Sequence, residues 1–287
     1  MSVLKTIAKT VLKAALRRHD VGLDVVELQE LLTIAGHVVK ADGLFGDATE
    51  AAVRAAQARF GLVVDGQAGP KTLAALRAGD ADPRHLREAD LVAAADKLGV
   101  PLATVKAINA VESKGVGFLP GGQPVLLFER PVMYRQLKAA GHDADALAVQ
   151  FPNLVSRERG GYAGGATEWH RYLSACHIDP ACAIEAASWG AWQVMGYHWR
   201  ELGYTSAAAF LAEMQTSERA QLDAFVRFVL NDETLLKALR ARKWAEVARL
   251  YNGPAYRDND YDGKLARAYA RFDAATAGND AQAAAAA

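Results

Sequence analysis

Two copies of one eight-residue pattern constrain this chain more than any other feature. Asp42-Gly43-Leu44-Phe45-Gly46-Asp47-Ala48-Thr49 and Asp65-Gly66-Gln67-Ala68-Gly69-Pro70-Lys71-Thr72 both read D-G-x-x-G-x-x-T. Asp-Gly makes a tight turn in which glycine takes positive φ. The second glycine opens a helix, and Pro70 suits a first helical turn, where no N–H partner is required. Val25, Val26, Leu28, Leu31 and Leu32 precede the first turn at helical spacing, and Phe60, Leu62, Val63 and Val64 precede the second. The pattern predicts three short helices joined by two similar loops over residues 21–80.

The full 287 residues suffice for two domains. Gly, Pro and acids at 78–83 mark a linker. From residue 84 the chain reads as helical, with Leu86, Leu91, Val92, Ala95 and Leu98 on one face and Leu102, Val105, Ile108 and Val111 on the next. Further helices are expected near 131–140, 167–176, 180–187, 205–230, 233–241, 243–251 and 262–273. Pro124–Glu129 is the one convincing strand. The expected fold is mainly α: a small three-helix domain, then a larger helical domain at 84–275 with a minor β element, then a disordered tail at 276–287. Residues 1–20 carry five bases and one acid. Lys5, Lys9 and Lys13 share a helical face and interrupt any apolar stretch that an export signal would need. The segment reads as a basic amphipathic leader, solvated or in weak contact with an anionic outer membrane. Bases and acids balance at 33 each, which argues against a nucleic-acid binder.

Three segments carry candidate chemistry. Glu112 follows the apolar helix run AINAV and precedes the glycine-rich GVGFLPGG. A carboxyl half shielded from water there should have a raised pKa, as a general acid requires. Ser188–Gly196 puts glycines, tryptophans and one amide in nine residues. It suits a cleft wall: Gly190 for close approach, Trp189 for stacking, Gln193 as donor and acceptor. Tyr251-Asn252-Gly253 closes a helix with an amide and an aromatic ring.

The order E-S-x-G, W-G-x-x-Q-x-M-G and Y-N-G resembles the lysozyme superfamily, in particular goose-type lysozymes and lytic transglycosylases. With LLFERPVMY at 126–134, SRERGGY at 156–162, EWHRY at 168–172 and SWGAWQVMG, residues 88–273 more specifically resemble the N-acetylmuramidase domain of modular phage endolysins. The repeat at 21–80 resembles a small peptidoglycan-binding domain. The resemblance implies Glu112 as the acid, with Tyr162, Trp189, Gly190, Gln193, Tyr251 and Asn252 against substrate, and Asp42, Phe45 and Asp65 against the wall. Phe45 suits stacking on a sugar, and equally suits capping the small core.

Glu129 ends the expected strand, and two roles stay open for it. It orients the attacking water, or it is an ion-paired brace for Glu112. Glu158 is a weaker second carboxylate. No aspartate lies between Glu112 and Asp143, so the aspartate that many lysozymes place soon after the acid is missing. Cys176, His177 and Cys182 are too few for a zinc site, and no H-E-x-x-H occurs, so no metal or cofactor is expected. The expected activity is hydrolysis of the β-1,4 bond between N-acetylmuramic acid and N-acetylglucosamine. The alternatives are a lytic transglycosylase and a non-catalytic wall adaptor. A monomer is expected, made in the host cytoplasm and released to peptidoglycan by a separate pore-forming protein.

Overall fold

The computed structural model describes residues 15–113, 116–253, 257 and 259–285, with side chains described to residue 275 except that of Asn252. Most of the basic leader, residues 1–14, lies outside them. The chain divides into two compact units, Met1–Ala89 and Asp90–Ala287.

The first unit holds α1 (Leu23–Ile34), α2 (Asp47–Arg59) and α3 (Pro70–Ala78). Val25, Leu28, Leu32, Phe45, Val53, Ala56, Phe60, Leu62 and Leu76 form its core. Pro70 opens α3, and Gly79, at φ 78°, closes it in the left-handed conformation. The unit is larger than the predicted 21–80. Leu16 is buried and exchanges backbone hydrogen bonds with Ala68, at 3.1 and 2.8 Å. On the other side, Leu62 bridges to Arg87, and the Glu88 carboxylate accepts from the Val64 N–H at 2.9 Å. The 79–83 stretch is therefore tied to the first unit on both sides, and the division falls at 89/90 instead.

α4 (Glu88–Leu98) crosses that division. The second unit continues with α5 (Leu102–Glu112), β1 (Leu126–Phe128), α6 (Arg130–Ala139), α7 (Ala144–Gln150), α8 (Thr167–Cys176), α9 (Pro180–Glu185), β2 (Ala187–Trp189) and β3 (Val194–Met195). It ends with α10 (Ala207–Met214), α11 (Glu218–Asn231), α12 (Glu233–Arg240), α13 (Trp244–Asn252) and α14 (Tyr261–Ala285). The three strands form one antiparallel sheet in sequence order, with Leu127 opposite Ser188 and Ser188 opposite Met195. The single expected helix over 205–230 is two. Ser217 starts α11 by accepting from the Ala220 N–H, as Ser206 does for α10 from Ala209. β2 and β3 were not foreseen as strands, because three and two residues are too short for a period to register. The expected disordered tail from 276 instead extends α14 to Ala285.

Candidate active site

The two repeat loops are built alike, each around a buried glutamine. Gln29 Oε1 accepts from the Gly43 N–H, while its Nε2 donates to Asp42 Oδ1, Leu44 O and Thr49 Oγ1 at 3.0–3.1 Å. Gln57 repeats this one helix later. Its Oε1 accepts from the Asp65 and Gly66 N–H groups, and its Nε2 donates to Asp65 Oδ1, Gln67 O and Thr72 Oγ1 at 2.8–3.2 Å. Asp42 and Asp65 thus spend their carboxylates inside their own loops. The Leu44 N–H and Gln29 hold the Asp42 pKa below the usual carboxylate value. Phe45 is corrected from wall contact to core: it is 2% exposed, whereas Leu44 beside it is 56% exposed.

In the second unit Glu112 is the last residue of α5. It lines a pocket whose other walls are Ile108, Phe225, Val229, Leu235, Leu239, Val247, Tyr251 and Leu265. Burial pushes the Tyr251 and Tyr261 phenols up, and the Glu112 charge pushes them further. The Tyr251 hydroxyl donates to Trp192 O at 2.5 Å, which ties α13 to the turn between β2 and β3.

That turn is Gly190–Gln193. Gly190 sits at φ 73°, and a Cβ there would lie 2.6 Å from the Gln221 side chain, so only glycine fits. Gln193 is itself left-handed at φ 51°. Its amide accepts from Ser188 Oγ at 2.9 Å and donates to Gly190 O at 2.9 Å, holding the strained turn. The two tryptophans do not supply a stacking face. Trp189 is 0% exposed, donates to Ile184 O, and packs edge-on against Trp169 and Tyr172. Trp192 is buried against Phe225. Trp189 is therefore corrected from substrate contact to core, because an apolar ring of that size gains more from burial than from exposure.

Glu129 follows β1 and is nearly buried. Its carboxylate accepts the Tyr162 hydroxyl, at 2.9 Å on one oxygen and 3.1 Å on the other. Arg130 turns away, donating to the backbone carbonyls of Glu158, Pro152 and Arg159. Tyr162, 46% exposed, has its phenol pushed up by burial and then by Glu129. Glu158 offers that carbonyl to Arg130 from an exposed loop.

Three buried polar residues had no role assigned from sequence. Gln221 on α11 donates to Gly117 O at 3.2 Å and Met214 O at 3.0 Å, and accepts from the Ala191 N–H at 2.8 Å. Glu218, one turn earlier, accepts from the Gly117 N–H at 2.9 Å. Together they join the loop after Glu112 to the β2–β3 turn. Glu168 is fully buried and binds four donors. The sequence offered no signal for any of them beyond a polar residue on an apolar helix face. Cys176 and Cys182 are free thiols, with burial raising the first and pushing the second up to about 12, so neither is a ready nucleophile.

The second unit thus holds a carboxyl in an otherwise apolar pocket, and a repeat-built module precedes it in the sequence. The N-acetylmuramidase family model matches residues 101–273, and a putative peptidoglycan-binding domain matches residues 21–76. The crystal structure of a Burkholderia AP3 phage endolysin is 55% identical, with a TM-score of 0.87, covering 92% of this chain and 100% of that one. The SleB N-terminal domain is 40% identical over 25% of this chain and 97% of its own, with a TM-score of 0.23. No curated protein sequence matched. The chain belongs to the N-acetylmuramidase family, in the modular form of an endolysin with a peptidoglycan-binding domain ahead of the muramidase domain. Its partner is peptidoglycan, and among the described residues no helix is long and apolar enough to cross a membrane.

Proposed function

We propose that this endolysin hydrolyses the β-1,4 bond between N-acetylmuramic acid and N-acetylglucosamine, as a lysozyme does, with Glu112 as the proton donor. The observation that carries this reading is that Glu112 lines an otherwise apolar pocket together with Tyr251. Such surroundings favour a carboxyl that holds its proton until the bridging oxygen takes it. As the bond breaks, an oxocarbenium-like centre develops on the sugar ring. Glu129, fixed by Tyr162, orients the water that attacks it from the opposite face, giving inversion. Gly190, Gln193, Tyr251 and Asn252 border the sugar path.

In the first unit the wall contact passes from Phe45 to the exposed apolar residues Leu44, Val21 and Leu23, which the Val21–Leu44 bridge brings together. Asp42 shapes the loop that presents Leu44, and Asp65 shapes the matching second loop. The protein acts as a monomer. It is made in the host cytoplasm and reaches periplasmic peptidoglycan through a separate pore-forming protein, and the weak outer-membrane contact of the basic leader falls to the lysines ahead of Leu16, which is itself buried in the first unit.

Mass spectrometry of released muropeptides tests the reaction. Reducing muramic ends are expected, and 1,6-anhydro ends would mark a transglycosylase and overturn the hydrolytic reading. Glu112→Gln should lower murein lysis by ~10²–10⁴-fold, the usual worth of general acid catalysis.

A further inference from the structure

The loop between α7 and α8, residues 151–166, has no regular structure, yet it is held from beneath by charged side chains. Glu168 is the centre of that hold. It is 0% exposed, on the first turn of α8. One oxygen accepts the N–H groups of Ala163 at 2.5 Å and Gly164 at 3.0 Å, the two residues that follow Tyr162. The other accepts the N–H of Phe128 at 3.1 Å, the residue that precedes Glu129. Arg171 completes the frame, donating to Glu168 at 2.8 Å and to Phe128 O at 3.0 Å. A single carboxylate therefore fixes the chain next to both partners of the Tyr162–Glu129 hydrogen bond.

We propose that Glu168 is a positioning residue that sets the Tyr162–Glu129 hydrogen bond and, through it, the direction in which Glu129 presents its carboxylate to the attacking water. The proposal rests on the reading of Glu129 as the water-orienting group. A carboxylate suits this task because both oxygens accept and neither donates, so three backbone N–H groups and a guanidinium converge on it without a clash of hydrogens. Arg171 supplies the opposite charge that a fully buried carboxylate needs. The backbone on either side is thereby locked without any side chain entering the cleft.

The test compares Glu168→Asp, Tyr162→Phe, Glu129→Gln and the Glu168→Asp/Tyr162→Phe pair on soluble peptidoglycan strands. Aspartate keeps the charge and the Arg171 pair but is one methylene too short to reach both loop and strand. Its kcat is expected to fall roughly 10–100-fold, the scale for misplacing a reacting group by about 1 Å, with KM nearly unchanged. The pair should be no slower than the slower single variant, since both changes break the same link. The ring-carbon NMR titration of Tyr162 should move down toward ~10, that of an ordinary tyrosine, in both Glu168→Asp and Glu129→Gln. A Glu168→Asp enzyme with normal kcat and an unmoved Tyr162 titration would overturn the proposal, as would losses that multiply in the pair. If Glu168→Asp does not fold, the unaltered protein still decides. On acidification, the amide signals of Ala163 and Gly164 and the ring signal of Tyr162 should shift together, and amide shifts without a ring response would overturn it. Normal turnover in Glu129→Gln would defeat the water-orienting reading on its own, while the Tyr162 titration would still report whether Glu168 sets the hydrogen bond.

Discussion

Replacing Gln221 by leucine should damage both stability and lysis, and the structure sets the scale. The side chain is 1% exposed and makes three hydrogen bonds, to Gly117 O, Met214 O and the Ala191 N–H. Leucine fills nearly the same volume, so the cavity contribution is small and the polar loss dominates. Each buried backbone group left without a partner costs ~1–3 kcal/mol. Gly117 O keeps the Val125 N–H at 3.0 Å, so the two groups left, Met214 O and the Ala191 N–H, give an upper bound of ~6 kcal/mol. Loop relaxation and water entry bring the expected loss nearer ~3–5 kcal/mol. For a unit of this size ~1 kcal/mol lowers the melting temperature by ~2–4 °C, so the second unit should melt ~6–20 °C earlier by calorimetry. Lysis should fall as well at temperatures where the variant is fully folded, because Gly117 and Ala191 belong to the two loops beside Glu112 and Gln193. A Gln221→Leu protein within ~1 kcal/mol of the parent, with full turbidity-clearing activity, would refute the reasoning.

Other changes have distinct signatures. Phe45→Ala should cost the first unit ~3–5 kcal/mol in urea unfolding, as a core deletion does, whereas Leu44→Asp should leave stability nearly unchanged and reduce co-sedimentation with insoluble murein. Gln57→Leu should destabilise the first unit by several kcal/mol, because the Asp65 and Gly66 N–H groups lose their acceptor, and Gln67 O and Thr72 Oγ1 each lose one of their hydrogen bonds. Burial acts to raise the Glu168 pKa, but donors from Gly164, Ala163, Phe128 and Arg171 outweigh it and hold it below the ordinary value. A lowered folded-state pKa means stability that is complete above the unfolded value of ~4.3 and is lost as pH falls through the folded one. The melting-temperature gap between the parent and Glu168→Gln should therefore be full at pH 6 and shrink progressively below about pH 4.

The repeat was legible because its chemistry is local. Asp, Gly and Thr at fixed offsets specify a turn and a helix start, and the three helices lie where that pattern put them. The helix that ends in Glu112 was legible for a similar reason, since an apolar run at helical spacing before glycines is a linear signal. Two roles stayed open for Phe45, and Trp189 was expected at the cleft, because a sequence does not say which side of a loop or short strand faces inward; both rings are buried. Arg130, next to Glu129, braces a loop through three carbonyls, a role that no local pattern announces. Glu218 and Gln221 were invisible as site residues because the loop they hold lies far away in sequence, and Glu168 because Phe128, the strand residue it holds, lies 40 positions before it. Gln221 and Gly117, for instance, are separated by 104 positions.

That separation also governs when the enzyme becomes competent during its synthesis. The first unit closes each loop with a glutamine only 8–20 residues from its partners, so it can fold as soon as it leaves the ribosome. The segment after Glu112 has no such local support. It waits for Glu218 and Gln221, and the pocket beside it waits further for Val247, Tyr251 and Leu265. A nascent chain halted between the end of the first unit and the last helix would carry a finished wall anchor and an unfinished acid site. Cutting power is thus withheld until translation is nearly over, and an abandoned fragment could occupy murein without opening it.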